Sequence, residues 1–346
     1  GNYISHYGKN ILNRSDDRTD LDESNAKDIY EGLTKMKGSP LKVAQMLSME
    51  KNIIPKAYSD EFSKAQFSVP PLSPPLVTKT FRKYFDKSPQ EVYDYFDPSS
   101  SCAASMGQVH RATLNDVSLA VKIQYPGVAE SISSDLALVK PFAMKILNLK
   151  GKDSEKFFKE VEDKLIEETD YELELKRSLF IKSSSSHLEN IVFPDYYKEL
   201  SSSKILTMSW IEGVHLSEFT DQNEDWGLAN EVGQHLWDFY MFQMHTLKQV
   251  QADPHPGNFL VTKSNKLGVI DFGCIKEIPD DFYVPYFNLT NKAVLNDPDK
   301  FLNNLFELDI IQETDTQSER DFFIGMFHEM LLSLIHISEP TRQEAI

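Results

Sequence analysis

Two carboxylates and one amide in the C-terminal half are the residues best suited to chemistry. Asp253 and Asn258 stand five positions apart in VQADPHPGNFLV (residues 250–261), and Asp271 follows 18 positions after Asp253 in Asp-Phe-Gly. Carboxylate and amide oxygens are ligands that a hard cation such as Mg²⁺ prefers. We expect Asn258 and Asp271 to bind Mg²⁺ and Asp253 to orient or deprotonate an acceptor hydroxyl, which are roles that phosphoryl transfer requires.

A lysine far upstream could supply a phosphate ligand. Lys122 lies inside LAVKIQ (residues 119–124), and strand alternation predicts that it faces away from Val121 and Ile123. In kinases, the lysine of such a V-A-I-K pattern pairs with nucleotide phosphates. The lysine alone favours a different interpretation, a charge on the solvated face of a sheet. However, Lys122 is followed by the D-x-x-x-x-N spacing of a kinase catalytic loop and then by D-F-G. Chance is a weak explanation for all three motifs in this order.

An acidic segment, EETDYELE (residues 167–174), is predicted to lie on a long helix. Glu168 and Asp170 are two positions apart, and Asp170 and Glu174 are four apart, which places the last two on one helical face. Clustered carboxylates repel one another unless nearby cations neutralise their charge. Without such cations, the segment is typical of a solvated acidic helix.

The glycine-rich phosphate loop of ordinary protein kinases has no counterpart here. The segment before the first predicted hairpin is CAASMGQVH (residues 102–110), which is rich in alanine and has one glycine. Glycine lets the backbone wrap closely around phosphates, whereas alanine restricts it. We therefore expect the nucleotide to be held differently.

The periodicity of the sequence predicts the elements that position these residues. Strands over 108–114 and 117–125 flank an Asn115-Asp116 turn, which is typical of a two-residue hairpin. Helices are predicted over 24–37, 40–49, 76–85, 89–96, 153–180, 225–246 and most of 281–331, and strands over 192–199, 204–210, 259–262 and 267–270. This order predicts an α+β, two-lobed protein-kinase-like fold.

Composition limits the function classes. The 346 residues carry a net charge of −17, which argues against nucleic acid as a partner. Two distant cysteines indicate a reducing compartment, so we expect a cytoplasmic location. Five lysines between residues 35 and 56 alternate with apolar residues, which suits either contact with a membrane surface or an ordinary solvated face.

Taken together, the motifs resemble those of the UbiB-type atypical kinases, the kinase-like ATPases linked to coenzyme Q biosynthesis. The segments that carry the resemblance are CAASMGQVH, AVKIQYPGV, EETDYELE, ADPHPGN and DFG, within a region running from about Asn25 to Met330. The resemblance implies an N-terminal helical extension packed over the active-site cleft. It also implies ATP and Mg²⁺ as cofactors, ATPase activity, and support of isoprenoid lipid or quinone metabolism at a membrane surface.

The extension of that family carries a K-x-G-Q motif, and here Lys42 and Gln45 survive while Ala44 replaces the glycine. The resemblance implies that Glu168 and Asp170 contact this extension, with Lys42 as the candidate cation for their carboxylates. It also implies that Glu174 pairs with Lys122. An extension in that place would obstruct protein substrates, so phosphorylation of other proteins is not expected.

The resemblance also implies a set of nucleotide contacts. The alanine-rich loop would hold the phosphates, and MSWIEG (residues 208–213) would form the hinge under the adenine. The residues concerned are Ala103, Ala104, Ser105, Gly107, Lys122, Met208 and Trp210.

Two other functions stay open at the level of sequence. A small-molecule phosphotransferase of the aminoglycoside-kinase type also uses a D-x-H-P-G-N loop. A non-catalytic scaffold that binds lipid or protein is the other alternative. The alanine-rich loop with Lys42 and Gln45 favours the ATPase over the phosphotransferase. A scaffold has no need for all four of the intact residues Lys122, Asp253, Asn258 and Asp271.

The predicted domains are a helical extension (1–75), a kinase-like N-lobe (76–212), a kinase-like C-lobe (213–331) and a foreign tail (332–346). Residues 332–342, LSLIHISEPTR, match the translation of a transposase sequencing adaptor in one reading frame. We therefore expect this tail not to be native.

Overall fold

The computed structural model describes Lys27, Glu31 and residues 71–104, 106–146, 152–252 and 254–338. Lys27 and Glu31 are helical, while the rest of the predicted extension, including Lys42 and Gln45, lies outside the described residues. The chain divides into two compact units. The first holds residues 1–239 and 251–275, and the second holds residues 240–250 and 276–346.

The helices and strands alternate irregularly, as the sequence predicted for an α+β chain. Up to residue 215 they are α1 (Pro74–Phe85), α2 (Pro89–Val92), β1 (Tyr95–Phe96), β2 (Cys102–Ala104), β3 (Gly107–Leu114), β4 (Val117–Gln124), α3 (Val128–Ile146), α4 (Lys152–Glu168), α5 (Tyr171–Ser184), β5 (Ile191–Val192), β6 (Ile205–Ser209) and β7 (Gly213–His215). Beyond it they are α6 (Leu216–Gln222), α7 (Trp226–Phe242), β8 (Gln249–Gln251), β9 (Phe259–Thr262), β10 (Leu267–Val269), β11 (Ile275–Glu277), α8 (Asp280–Asn288), α9 (Lys292–Leu295), α10 (Pro298–Glu307) and α11 (Gln317–Ser338).

The first unit contains a five-stranded antiparallel sheet in the order β1-β3-β4-β6, with β2 added to β3. Its central hairpin, β3–β4, turns at Asn115 and Asp116, which both have positive φ (49° and 63°). Positive φ at both central residues defines the type I′ turn, whose twist matches that of the strands. The predicted hairpin is therefore confirmed.

The two faces of β4 are both buried, against different partners. Val121 and Ile123 pack with Phe81 of α1 in the core of the five-stranded sheet. Ala120 lies on the other face, in a cluster around Tyr171. Lys122 is only 4% exposed, so the alternative of a lysine on a solvated sheet face is wrong.

The predicted helix over 153–180 is in fact two helices. α4 ends at Glu168, and the Asp170 side chain caps α5 by accepting a hydrogen bond from the Leu173 N–H (3.0 Å). An aspartate at this position satisfies an otherwise unpaired N–H of the first turn. Asp170 and Glu174 therefore do not share a helical face, because Asp170 stands before the helix.

Three further boundaries differ from the prediction. α1 begins at Pro74, two residues before the predicted start at residue 76, because proline needs no N–H partner in the first turn of a helix. The helix predicted over 89–96 ends at Val92 and is followed by β1, which pairs with β3. The strand predicted over 192–199 is limited to β5, followed by a single bridge from Tyr196 to Met208.

A smaller sheet in the first unit carries the second predicted hairpin. β9 and β10 pair antiparallel, as expected, while β5 adds parallel to β10 and β7 adds antiparallel to β9. The second unit is mostly helical, as predicted, and its core is formed by apolar residues between the end of α8 and α11. Its buried members are Leu289, Leu295, Phe301, Leu305, Ile311 and Leu331.

A buried histidine joins the large sheet to the chain before α1. The His110 Nδ1 lies 2.8 Å from the Asp97 carbonyl oxygen, and its Nε2 lies 2.6 Å from the Gln108 Nε2. Gln108 accepts from the Leu72 N–H through Oε1, so its amide nitrogen faces the histidine as a donor. The neutral ring with its proton on Nδ1 satisfies both contacts, and burial lowers the pKa of His110.

We expect this histidine to make stability depend on pH. The pKa of His110 is lower in the folded chain than in the unfolded chain. Its contribution to the free energy of unfolding is therefore complete above about pH 6.5, the pKa of an unfolded histidine. Below that pH the contribution is lost by at most ~1.4 kcal/mol per pH unit, until the pH reaches the pKa of the folded chain. His110→Phe should lower the unfolding midpoint at pH 7.5, and the difference from the original chain should shrink at pH 5.5. The exposed His187→Gln serves as the control, and an equal difference at both pH values would contradict the prediction.

Candidate functional site

Lys122 forms the centre of a buried ionic cluster in the first unit. Its Nζ lies 2.8 and 2.9 Å from the two carboxylate oxygens of Glu174 and 3.0 Å from Asp271 Oδ2. β4 supplies the lysine, α5 supplies Glu174, and the segment after β10 supplies Asp271. The structure thus brings together three predicted residues that are up to 149 positions apart in the sequence.

The charges of this cluster depend on one another. Burial alone lowers the pKa of Lys122, but the carboxylates of Asp271 and Glu174 outweigh it and hold that pKa well above its usual value. Burial raises the pKa of Glu174 to about 7, against the opposing effect of the Lys122 ammonium. Lys122 therefore keeps its positive charge, which is the form that binds phosphate oxygens.

Tyr171 closes one side of the cluster and was not predicted. It is fully buried, its ring centroid lies 5.1 Å from the Lys122 Nζ, and its hydroxyl has no hydrogen-bond partner among the described residues. The hydroxyl lies against Gly107, where a Cβ atom would be 2.8 Å away. The one glycine of the alanine-rich loop therefore lies where a side chain does not fit.

Asp271 is positioned by its neighbours as well as by Lys122. Its Oδ1 accepts from the Gly273 N–H (2.8 Å), and its carbonyl oxygen accepts from the Gln251 side chain (2.5 Å). Arg177 of α5 donates to the Gly273 carbonyl oxygen (3.3 Å) and pairs with Glu167. Gln251 and Arg177 were not predicted, although Arg177 stands three positions after Glu174 and so shares its helical face.

Asn258 ends a short 3-10 turn, Pro256–Asn258, which begins after His255. The His255 Nδ1 accepts from the Gly257 N–H (3.0 Å), and the Asn258 carbonyl oxygen accepts from the Ile270 N–H (3.1 Å). That backbone bond places Asn258 beside the residue that precedes Asp271. Asp253 lies outside the described residues.

The alanine-rich loop is partly a strand. Ala103 and Ala104 belong to β2, and Ala104 stands opposite Gly107 of β3. Ser105, between the two strands, lies outside the described residues. The tight β2–β3 connection next to Lys122, whose Cα partner on β3 is Val109, is compatible with a loop over nucleotide phosphates.

The predicted hinge residues follow the edge of the large sheet. Met208 is 5% exposed and packs in the cluster with Tyr171. The backbone N–H of Trp210 donates to the Ser118 carbonyl oxygen (2.8 Å), and the Arg111 guanidinium lies 4.7 Å from the centroid of the Trp210 ring. Trp210 thus follows directly after β6, the strand that pairs with β4 beside Lys122.

Glu168 and Asp170 have different surroundings. Glu168 is 7% exposed, whereas Asp170 is exposed and caps α5. The burial of Glu168 and Glu174 does not fit a solvated acidic helix. Lys42 and Gln45, which were predicted to answer Glu168 and Asp170, lie outside the described residues.

Neither a preformed metal cluster nor a membrane-spanning helix occurs among the described residues. Over 71–338, apart from the gaps, no three His, Cys, Asp or Glu side chains are arranged to hold a metal ion. In the same part of the chain, no helix has both the length and the apolarity needed to span a membrane.

Taken together, Lys122 on the large sheet, Glu174 on α5 and the Asp271 of Asp-Phe-Gly define a protein-kinase-like site. The chain belongs to the ABC1 atypical kinase-like family, whose domain profile matches residues 64–305, well over half of its length. The fold and the family predicted from the sequence are confirmed.

Relatives of this family occur in several kingdoms. The chain is 28% identical over 330 residues to the atypical kinase COQ8, mitochondrial, of Saccharomyces cerevisiae, which covers 93% of this chain and 63% of that protein. It is 30% identical over 297 residues to the uncharacterized protein sll1770 of Synechocystis, covering 84% of this chain and 51% of the relative. A chloroplastic relative of Arabidopsis thaliana, activity of bc1 complex kinase 8, is 26% identical over 318 residues, with coverage of 88% and 42%. The chain thus spans about 42 to 63% of the length of these relatives.

A solved structure shows the same fold. The Rv3197 protein of Mycobacterium tuberculosis, solved in complex with erythromycin, superposes with a TM-score of 0.62 at 24% identity. The match covers 94% of this chain and 86% of that protein. The similarity supports the kinase-like fold.

Proposed function

We propose that this protein binds ATP with Mg²⁺ and acts as an ATPase that supports isoprenoid quinone or lipid metabolism at a membrane surface. It would be a kinase-like enzyme that does not phosphorylate other proteins. The observation that carries the proposal is the buried Lys122–Glu174–Asp271 cluster, with Nζ-to-oxygen distances of 2.8 to 3.0 Å. A non-catalytic scaffold would not need this cluster. Burying an ion pair costs desolvation free energy, and apolar side chains of similar size often stabilise a fold as well or better.

The residues present fit the cofactor. Asp271 and Asn258 offer a carboxylate and an amide oxygen, which are hard ligands for Mg²⁺. When bound, Mg²⁺ would neutralise phosphate charge as it develops. Lys122 would hold phosphate oxygens, Glu174 would orient Lys122, and the β2–β3 connection around Ala103, Ala104, Ser105 and Gly107 would lie over the phosphates. Met208 and Trp210 would border the adenine.

The acceptor in this proposal is water or a small molecule. Asp253 would orient it or take its proton. Lys42 and Gln45 of the extension would face Glu168 and Asp170 and keep protein substrates out. The family membership supports this assignment, and the similarity to a relative named atypical kinase COQ8 supports a place in quinone metabolism.

The proposed location is cytoplasmic, with peripheral contact at a membrane. Relatives are named mitochondrial or chloroplastic, so organelle fractions are the second place to look. Fractionation of cells with detection of the native protein would decide between them.

Turnover measurements test the function. ATP hydrolysis should require Mg²⁺ and should rise severalfold with liposomes that carry quinone precursors, compared with liposomes of the same lipids without them. A serine/threonine peptide library should stay unlabelled. Formation of ADP with transfer of the phosphoryl group to a soluble amino-sugar instead would favour a small-molecule phosphotransferase. Absence of both ATP binding and ATP turnover would leave a scaffold.

A further inference from the structure

A cavity in the first unit lies between α1, the end of β4 and the start of α3, and its lining does not include Lys122, Glu174 or Asp271. Its volume is about 230 Å³. Its lining includes Lys79 and Lys83 of α1, Gln124 of β4, Gly127, and Lys204 before β6. Pockets for drug-sized ligands begin at roughly 300 Å³, so this cavity suits a smaller ligand.

The charge of the lining is positive in a strongly acidic chain. Three lysines, Lys79, Lys83 and Lys204, line the cavity beside a single acid, Glu130. Within the described part of the chain, none of the three forms an ion pair with a carboxylate, although the protein carries 53 acidic residues and 36 basic ones. Three lysines against one acid, none of them in an ion pair among the described residues, make the cavity attractive to an anion.

One of these cations is held in place by neutral groups. The Lys204 Nζ donates to the Gln124 Oε1 (2.5 Å) and lies 3.4 Å from the Thr169 carbonyl oxygen. Gln124 is 2% exposed and donates in turn to that same carbonyl oxygen (2.7 Å). These contacts hold the ammonium group in place but do not neutralise its charge, because both acceptors are uncharged. A ligand would therefore lose less side-chain entropy when it binds Lys204.

The backbone at the start of α3 adds polar donors to the lysines. The bond from the Ser131 N–H to the Gly127 carbonyl oxygen (3.1 Å) opens the helix, so the backbone N–H of Glu130, a lining residue, precedes the regular pattern. Gly127 has φ of 80°, and a Cβ atom there would meet nothing within 4 Å. The first turn of a 19-residue helix thus borders open space and carries partial positive charge.

We propose that this cavity binds a small phosphate-bearing anion. The ligand class is a phosphate group on a small carrier, because three lysine ammonium groups and free helix N–H groups suit a dianion with several acceptor oxygens. Such a group could belong to a soluble phosphomonoester or to the headgroup of a membrane lipid. The site is distinct from the Lys122 cluster and does not rest on the proposed ATPase activity.

The test compares two double variants without nucleotide present. Lys79→Gln/Lys83→Gln removes two exposed cavity charges and leaves the bonds of Lys204 intact. Lys87→Gln/Lys263→Gln removes two exposed charges outside the cavity and serves as the matched control. Titration calorimetry with glycerol 3-phosphate at constant ionic strength should show a Kd raised about tenfold or more in the cavity variant and unchanged in the control.

A second arm identifies the source of the phosphate. Flotation with phosphatidylcholine vesicles, with and without phosphatidic acid, should show the same dependence on Lys79 and Lys83 if the ligand is a headgroup. Loss of binding in the cavity variant alone supports the site. Loss in calorimetry with glycerol 3-phosphate indicates a soluble phosphomonoester, and loss in flotation with phosphatidic acid indicates a lipid headgroup. Equal binding by cavity and control variants in both arms, or no binding by the original chain in either, overturns it. Equal melting temperatures of the two variants exclude misfolding as the cause.

Discussion

Asp271→Asn should abolish Mg²⁺-dependent ATP binding and lower ATP hydrolysis by more than about 100-fold, because a neutral amide is a poor substitute for a carboxylate on a hard divalent cation. The substitution keeps the shape of the side chain. Its remaining Oδ1 can still accept from the Gly273 N–H, as Asp271 does at 2.8 Å. Lys122 also keeps Glu174 as its partner. The fold should therefore survive, and the loss should be chemical.

The measurement is ATP affinity with Mg²⁺ and with EDTA, followed by turnover. Asp195→Asn makes the same chemical change at an exposed carboxylate that pairs with Lys182, and it should leave both quantities unchanged. ATP affinity in Asp271→Asn equal to that of the original chain, with the same response to Mg²⁺, would remove Asp271 from the metal site and the main support for the proposed function.

Gly107→Ala should be among the most destabilising single substitutions in the first unit. The new Cβ atom would lie 2.2 Å from the Ile123 carbonyl oxygen and 2.8 Å from the Tyr171 hydroxyl. The first of these atoms is backbone in the partner strand β4 and cannot rotate away. The strands must separate beside Lys122, which should cost roughly 3 kcal/mol in the free energy of unfolding and also weaken nucleotide binding.

The same substitution in a helix gives the control. Gly233 lies exposed in α7, where a Cβ atom meets nothing within 4 Å. Gly233→Ala should raise stability by about 0.5 to 1 kcal/mol, because alanine has the higher helix propensity. Denaturant unfolding of both variants measures the difference, and a Gly107→Ala chain as stable as the original would show that β3 and β4 are less tightly joined than the structure indicates.

The sequence predicted those parts of the fold that depend on local patterns. The Asn115-Asp116 turn and the alternation around Lys122 were read correctly, because turn geometry and strand facing follow from adjacent residues. The pairing of Lys122 with Glu174 came from resemblance, since nothing local joins residues 52 positions apart.

The errors share a physical cause. The break between α4 and α5 was missed because the apolar periodicity continues across it, while the Thr169 carbonyl oxygen is satisfied by Gln124, which is remote in sequence. The cavity lysines escaped notice for the same reason. Lys79, Lys83 and Lys204 come from two distant segments, and only the packing of α1 against the sheet brings them together.

The ionic cluster around Lys122 also bears on inhibitor design. Electrophiles that acylate or sulfonylate lysines react with the neutral amine, so they succeed where burial has depressed the pKa. Here Asp271 and Glu174 raise the pKa of Lys122 instead. A covalent warhead aimed at this lysine would find almost no free amine, and reversible ligands that displace one carboxylate are the more promising chemistry.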